Sequence, residues 1–496
     1  MTQRVSTNSV HGAVAWVVPV LLGFVVTPLL VSGLGIKGYG VYSLVVGIIQ
    51  YSFNLQFGRL MTHYVARAHG GEVGSAKLCT STLLVAILIA LLGSVVIAIF
   101  SSLIVDDVFQ VSRELRAEAV TAVRLSSVAL MSMAILYLSW SVLQGLGHFA
   151  FFAKLSGGYS ISISFAAILI ALSGGTLSWI FISQILVTLL FVGISLAILK
   201  RLGAVTCFDT KPDRESIEEV VRGSVPIIGY QVVGNAVVLI ERGLVSARLG
   251  EAALSFYVVA MNLAINLHGL AASLSLSILP FASQRDRGWE CLRETYEKAT
   301  TYIIALMTGI TTTVVIFGQQ ILQVWLGSEF AESATVVLIP GVIAFGLHAF
   351  SVVAFQVVDG QGRSRLNLLT TLIAGVVFTV VAAGLIGKFG IEGPALGRLA
   401  SSGVWLVFML LIDRSLRGAW GGKFFGGVAI RLSVPVVTCL ILGNVLQEYF
   451  YGSWTSLLFG MAITSVCFGI VATVVGVIRF REIQELLSSF LPRDRS

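Results

Sequence analysis

Apolar residues run along this chain in blocks of about twenty, separated by short polar stretches. A helix rises about 1.5 Å per residue, so a block of that length crosses a hydrocarbon core of roughly 30 Å. A window of that size predicts helices at 12–34, 39–58, 78–104, 119–142, 152–172, 177–199, 223–246, 252–279, 299–318, 334–357, 367–387, 392–412, 428–447 and 455–478. The predicted class is an all-α polytopic membrane protein with fourteen spans. The first block is too long for the apolar region of a cleavable signal and is expected to remain as a span.

Polar residues inside the blocks recur at helical spacing. The 223–246 block carries Gln231, Asn235 and Arg242 at i, i+4 and i+11, within about 40° of one another around the axis. The 252–279 block carries Ser255, Asn262, Asn266 and Ser273 on one face, and the 39–58 block carries Ser43, Gly47, Gln50 and Asn54, ending near Arg59. Polar groups in hydrocarbon need a wet cavity or a partner. Asn, Gln and Ser also bind helices to one another, but three stripes on helices that open both halves of the chain point to a shared polar cavity.

Composition narrows the class. The 496 residues are 56% hydrophobic and 11% charged, against about 25% charged in soluble domains. Soluble enzymes, secreted disulfide scaffolds and disordered proteins are excluded. Cys79, Cys207, Cys291, Cys439 and Cys467 are scattered without metal-ligand spacing, so neither a zinc site nor a disulfide framework is expected. No cofactor and no nucleic-acid partner is expected either. With the N-terminus inside, 24 of the 32 basic residues fall in inner segments, five in outer loops and three (Arg124, Arg242, Arg398) within spans. That asymmetry places both termini in the cytoplasm, and it absorbs the net charge of +7. The longest outer loop, 105–118, is too short to house an extramembrane active site, which argues against a membrane glycan polymerase.

The chain repeats itself. An offset of 215 residues lays Val142-Leu143-Gln144-Gly145-Leu146-Gly147 on Val357-Val358-Asp359-Gly360-Gln361-Gly362, Leu34-Gly35 on Leu249-Gly250, Tyr42 on Tyr257 and Gly175 on Gly390. Each half holds six helices, which implies two lobes of like orientation related by a pseudo-two-fold along the membrane normal. The expected organisation is a six-helix lobe at 1–200, a cytoplasmic linker at 201–222, a second lobe at 223–415, two further helices at 416–480 and a tail at 481–496. Two such lobes around a cavity favour alternating access, and so a transporter over a channel.

Charges at membrane depth are the remaining candidates. Arg242 continues the Gln231/Asn235 stripe, whereas Glu241 points about 100° away and is expected to pair with another helix. Arg124 and Arg398 sit near outer helix ends and are expected to snorkel. His348 and Asp359 lie on one face of the 334–357 helix and its inner end, and are candidate coupling residues because imidazole titrates near neutral pH. The N-terminal half has no Asp or Glu at membrane depth, although cation- or proton-coupled antiporters usually keep one there.

Several segments resemble the Wzx-type polysaccharide flippases of the MOP (MATE-like) exporter superfamily. They are Leu29 to Tyr42 (LLVSGLGIKGYGVY), Phe57-Gly58-Arg59 through Tyr64-Val65-Ala66, Ile240-Glu241-Arg242 with Leu249-Gly250 and Phe256-Tyr257, Trp325 to Phe330 (WLGSEF), and Gly360-Gln361-Gly362-Arg363. The sequence has Gln56 where the family often has an acid, and Glu241 where it usually has Asp. The resemblance covers about residues 10–415 and implies a MATE/MurJ-like fold in the bacterial inner membrane. It further implies a substrate consisting of an oligosaccharide on an undecaprenyl diphosphate carrier, moved to the outer leaflet for O-antigen or other surface polysaccharide synthesis, with glycan polymerase and chain-length proteins as candidate partners. Under that reading Arg59 meets the diphosphate from the cytoplasm and Arg242 lies nearer its exit, since arginine suits diphosphate through bidentate hydrogen bonds. A multidrug antiporter of the same superfamily is the alternative.

Overall fold

The computed structural model describes residues 2–477 apart from 53–56, 73, 204–207, 209, 276–288, 418–421 and 451. Every regular element among the described residues is helical. In chain order they are α1 (Thr2–Tyr51), α2 (Phe57–His69), α3 (Ser75–Ile99), a short turn Ser101–Leu103 passing into a π-helical turn Ile104–Val108, α4 (Arg113–Gly145), α5 (Phe149–Leu172) and α6 (Leu177–Arg201). Then follow α7 (Arg214–Ser275), α8 (Trp289–Leu326), α9 (Ser328–Ala349), α10 (Val352–Gly360), α11 (Ser364–Phe389), α12 (Glu392–Arg417), α13 (Gly422–Tyr449) and α14 (Trp454–Val474).

Twelve of the described helices are long and apolar enough to cross a membrane. The difference from the fourteen expected from sequence lies in α1 and α7, each of which runs through two predicted blocks. Both are broken at one glycine, Gly35 (φ 70°, ψ 167°) and Gly250 (φ 85°, ψ 175°). An L side chain is essentially excluded from that backbone region. The two breaks stand 215 residues apart, and so do the left-handed glycines Gly147 (φ 79°) and Gly362 (φ 72°) that end α4 and α10. The repeat visible in the sequence is therefore a repeat of backbone geometry. Gly35→Ala and Gly250→Ala are each expected to destabilise the protein by about 1–3 kcal/mol; a detergent thermal-shift measurement checks this, and unchanged melting in either variant contradicts it.

By compactness the chain divides into Met1–Val258 and Val259–Ser496, with the division falling inside α7 just beyond the Gly250 break. Lipid tails are as apolar as leucine, so close packing rather than hydrophobic transfer holds helices together here. In the first unit Phe57, Met61, Tyr64, Leu136, Trp140, Leu143 and Tyr159 form a buried core. In the second, Tyr296, Phe317, Val353, Trp405, Met409 and Phe468 do so. Small residues bring backbones into contact. Gly393 and Gly397, four apart on α12, lie against Ile386 and Ala382 of α11; a Cβ at Gly397 would stand 3.0 Å from that of Ala382. Outward positions such as Leu92, Ile99, Val376 and Val380 are exposed, as a lipid-facing surface requires.

The N-terminal end of α7 is fastened to α3. Asp213 accepts from Lys77 Nζ (2.7 Å) and from the Ser216 N–H (2.9 Å), and the Ser216 hydroxyl meets that of Ser81 at 2.8 Å. The Lys77 ammonium, helped by Ser216, holds the Asp213 carboxyl well below the usual carboxylate range. A carboxyl with a lowered folded-state pKa stabilises fully above its unfolded value of about 3.9 and loses that contribution as pH falls through the folded one. Asp213→Ala is therefore expected to lower the melting temperature slightly and by the same amount from pH 5 to 9, the pair being exposed. A deficit that changes across that range would contradict this account.

Candidate substrate site

The 36–51 half of α1 packs directly on α7, and glycine makes the approach possible. A Cβ at Gly40 would fall on the Glu251 carbonyl, and one at Gly47 would come within 2.7 Å of Arg242 Nη1 and 3.2 Å of its Cδ. The Arg242 side chain occupies the space left by Gly47. Its Nη1 donates to the Ser43 carbonyl, and its guanidinium lies over the Tyr51 ring, 5.3 Å from the centroid. Arg242 is 6% exposed. Among the described residues no carboxylate lies within ion-pair distance of it, so this buried cation is held by a neutral carbonyl and an aromatic face alone.

Glu241, 4% exposed, turns away from Arg242 and accepts from the Tyr257 hydroxyl across the Gly250 break. The corner between α7's two halves is tied down further. Ser255 Oγ donates to the Ile36 carbonyl, Ser246 Oγ to the Phe109 carbonyl (2.7 Å), and the Ser112 N–H to the Glu251 carboxylate. The 104–112 connection thereby packs against α7, with Val105 and Phe109 buried and Arg116 closing it on Asp106 at 2.6 Å. A groove of about 510 Å³, which Arg242 does not line, has a lining that includes Ile48, Ser52, Asp107, Gln110, Ile240 and Leu244. It is apolar save for Ser52, Asp107 and Gln110.

The other sequence candidates are less gathered. Gln231 and Asn235 are half-buried on α7, towards its N-terminus from Arg242, while Gln50 is exposed on α1. Asn54 and the side chain of Arg59 lie outside the described residues. Asn262 (exposed) and Asn266 (half-buried) belong to the second unit. Arg124 donates through Nε to Ser101 Oγ at 3.0 Å. Arg398 lies over the rings of Phe378 (4.5 Å) and Phe345 (5.8 Å). Asp359 accepts from Asn367 Nδ2 at 2.8 Å, bridging α10 and α11. No group of His, Cys, Asp or Glu among the described residues has the geometry to hold a metal.

His348 has a partner that the polar stripes did not reveal. Its ring stacks on His268 (centroids 4.2 Å, planes 27° apart) and, on the other side, on Trp405 (4.4 Å, 25°). His268 lies about 140° around its helix from the Asn262/Asn266 stripe, and so escapes a search along that stripe. A simpler signal was available: of the six histidines, only His268 and His348 fall within predicted spans.

This fold is that of the MATE-like and MurJ-like transporters. A lipid II flippase MurJ structure in an inward closed conformation superposes with a TM-score of 0.67 at 16% identity, covering 96% of this chain and 99% of that one. An outward-facing multidrug resistance MATE family transporter of the MOP superfamily gives 0.61 at 16%, covering 84% and 96%. Residues 72–335, over half the chain, match the polysaccharide biosynthesis protein family, and the chain belongs to that family. A Shigella flexneri protein named "Putative O-antigen transporter" is 20% identical over 404 residues, which is 78% of this chain and 93% of that protein. The chain is thus a multi-pass member of the polysaccharide biosynthesis protein family with a MATE/MurJ-like fold.

Proposed function

We propose that the protein flips an oligosaccharide linked to undecaprenyl diphosphate from the cytoplasmic to the outer leaflet of the bacterial inner membrane. It does so by alternating access of two six-helix lobes, with both termini inside. Counting α1 and α7 as two spans each gives fourteen. A continuous 48-residue helix (Ile228–Ser275) would be about 72 Å long, more than twice the hydrocarbon thickness, which supports that count.

The observation that carries the substrate chemistry is the buried Arg242, which has only neutral partners among the described residues. A guanidinium in a low-dielectric site without a carboxylate is complementary to an anion that arrives and leaves, and its fork fits a diphosphate. Gln231 and Asn235 on the same helix supply hydrogen bonds of the kind a sugar takes, and Gln50, Asn54, Asn262 and Asn266 are further proposed substrate contacts. Arg59 is the proposed headgroup contact at the cytoplasmic end.

Two results test the function against its alternatives. A strain lacking the protein is expected to lose surface polysaccharide while keeping its tolerance of cationic dyes; sensitisation to the dyes with normal glycan would establish the multidrug reading instead. Arg113→Ala and Arg116→Ala, both on the outer loop, are expected to leave export near wild type, because Arg116 takes part only in an exposed ion pair. Abolished polymer synthesis in either would favour an outer-face polymerase.

A further inference from the structure

The groove between α1, α3, α7 and the 104–110 turn is separate from the transport site proposed above, and it lies wholly within the first unit. Its α7 lining is Leu239, Ile240, Gly243, Leu244 and Ala247, a face centred about 130° around the helix from Arg242. Val108 (48%) and Ile240 (44%) are exposed on its walls, as are Val96 and Ile99 beside Ile97. Exposed apolar side chains on a spanning helix meet lipid, so the groove opens towards hydrocarbon. The 104–112 connection joins α3 to α4, both long enough to span. It therefore stands at a bilayer surface, the level at which lipid headgroups lie.

Glycine and serine on α7 build the groove. Gly243 leaves room for the Phe109 ring, which a Cβ there would meet at 3.4 Å. Ser246 Oγ holds the Phe109 carbonyl at 2.7 Å, and Arg116 holds Asp106. Of the acidic and amide side chains in the connection, that leaves Asp107 and Gln110. Both are exposed, both line the groove, and neither has a partner among the described residues. Gln110 (φ 49°) is also the one non-glycine residue among those described with a left-handed backbone. A methylene group takes about the 30 Å³ that a water takes in the liquid. On that scale the groove of about 510 Å³ holds roughly seventeen of them, which is one acyl chain.

We propose that this groove binds a membrane lipid with a primary ammonium headgroup, a phosphatidylethanolamine, with one acyl chain along the apolar walls and the ammonium on the Asp107 carboxylate and the Gln110 amide oxygen. The rim chemistry selects among headgroups. A primary ammonium carries three N–H donors for these acceptors, whereas the quaternary ammonium of phosphatidylcholine carries none. A carboxylate without a counter-ion repels the net negative headgroup of phosphatidylglycerol. Lipid tails are equally apolar, so the walls supply fit and the rim supplies the choice. A lipid seated here touches α1, α3 and α7 together, and by binding the folded protein alone it stabilises their arrangement. The site does not depend on the flippase reading.

The test is native mass spectrometry of the full chain, delipidated in detergent and titrated with dioleoyl phosphatidylethanolamine, phosphatidylcholine or phosphatidylglycerol. Wild type is expected to bind one phosphatidylethanolamine about three- to tenfold more tightly than either other lipid, the range of one partly exposed charged hydrogen bond. Asp107→Asn changes an exposed side chain with no partner among the described residues, so it should fold normally and lose that preference. Gln110→Gly relieves the left-handed backbone and is expected to weaken phosphatidylethanolamine while leaving the other two lipids unchanged. Ile240→Trp fills the groove from its lip and is expected to abolish the tight site. Equal affinities in wild type, or a preference that survives Asp107→Asn, overturns the proposal. Tight binding that survives Ile240→Trp places the lipid elsewhere and overturns it too. Displacement of the bound phosphatidylethanolamine by an equimolar polyprenol, which has no ammonium, overturns it in favour of an isoprenoid tail.

Discussion

Arg242→Ala is expected to cut export of lipid-linked glycan by roughly 10- to 100-fold while leaving the amount of folded protein in the membrane unchanged. The magnitude follows from the loss of a charged hydrogen bond to substrate, worth about 1.5–3 kcal/mol, at tenfold per 1.4 kcal/mol. The separation of activity from stability is the informative part. In the structure this guanidinium is desolvated (6% exposed) and balanced by one carbonyl and one ring. A buried charge without a counter-ion is a burden on the fold, so alanine should melt no earlier than wild type. Arg242→Lys keeps the charge and loses the planar fork, and it should recover only part of the export. Flux assays normalised to membrane abundance, with detergent thermal shifts, decide the matter. Full export in Arg242→Ala would remove the residue from the site. A large drop in melting temperature with normal flux per molecule would make it a structural clasp between α1 and α7.

Gly40→Leu is expected to have the larger effect on the fold itself. The α1 backbone at Gly40 approaches the Glu251 carbonyl so closely that even a Cβ overlaps it, and a carbonyl in a helix cannot move aside as a flexible side chain can. Overpacking of this kind costs about 1–3 kcal/mol and sometimes more. Here it would also pull Ser255 away from the Ile36 carbonyl. The expected outcome is little extractable folded protein. Gly47→Leu should be milder, because its obstacle is the Arg242 side chain, which can rotate away. Gly47→Leu should therefore accumulate in the membrane but lose export, reproducing Arg242→Ala. Comparable folded yields for Gly40→Leu and wild type would contradict the packing described.

Much of the fold was legible because bilayer thickness imposes a length on every apolar block and the repeat imposes a second, independent register. The Gly35/Gly250 and Gly147/Gly362 pairs could be matched from sequence because only glycine supplies the backbone these turns adopt. The backbone turn that Gly35 and Gly250 make between the two blocks of α1 and of α7 was not legible; hydropathy marks the blocks but not the geometry of the short join. The site was legible in part. Helical spacing separated the faces of Glu241 and Arg242, and the structure gives them different partners, Tyr257 and Ser43. Spacing placed Arg242 in one stripe with Gln231 and Asn235, yet a long side chain can leave its stripe, and this one fills the gap at Gly47. Arg398 lies over two phenylalanine rings, a contact that needs three helices to be positioned before it can be seen. The His268–His348–Trp405 stack draws on three distant segments, and no periodicity within one helix encodes it.

The central claim concerns which leaflet the glycan occupies. The most direct measurement is to deplete the protein and probe spheroplasts with a membrane-impermeant reagent for lipid-linked oligosaccharide, before and after permeabilisation. The account predicts accumulation that becomes visible only after permeabilisation, on the cytoplasmic side. Lipid-linked oligosaccharide that remains at normal levels and accessible from outside would contradict it.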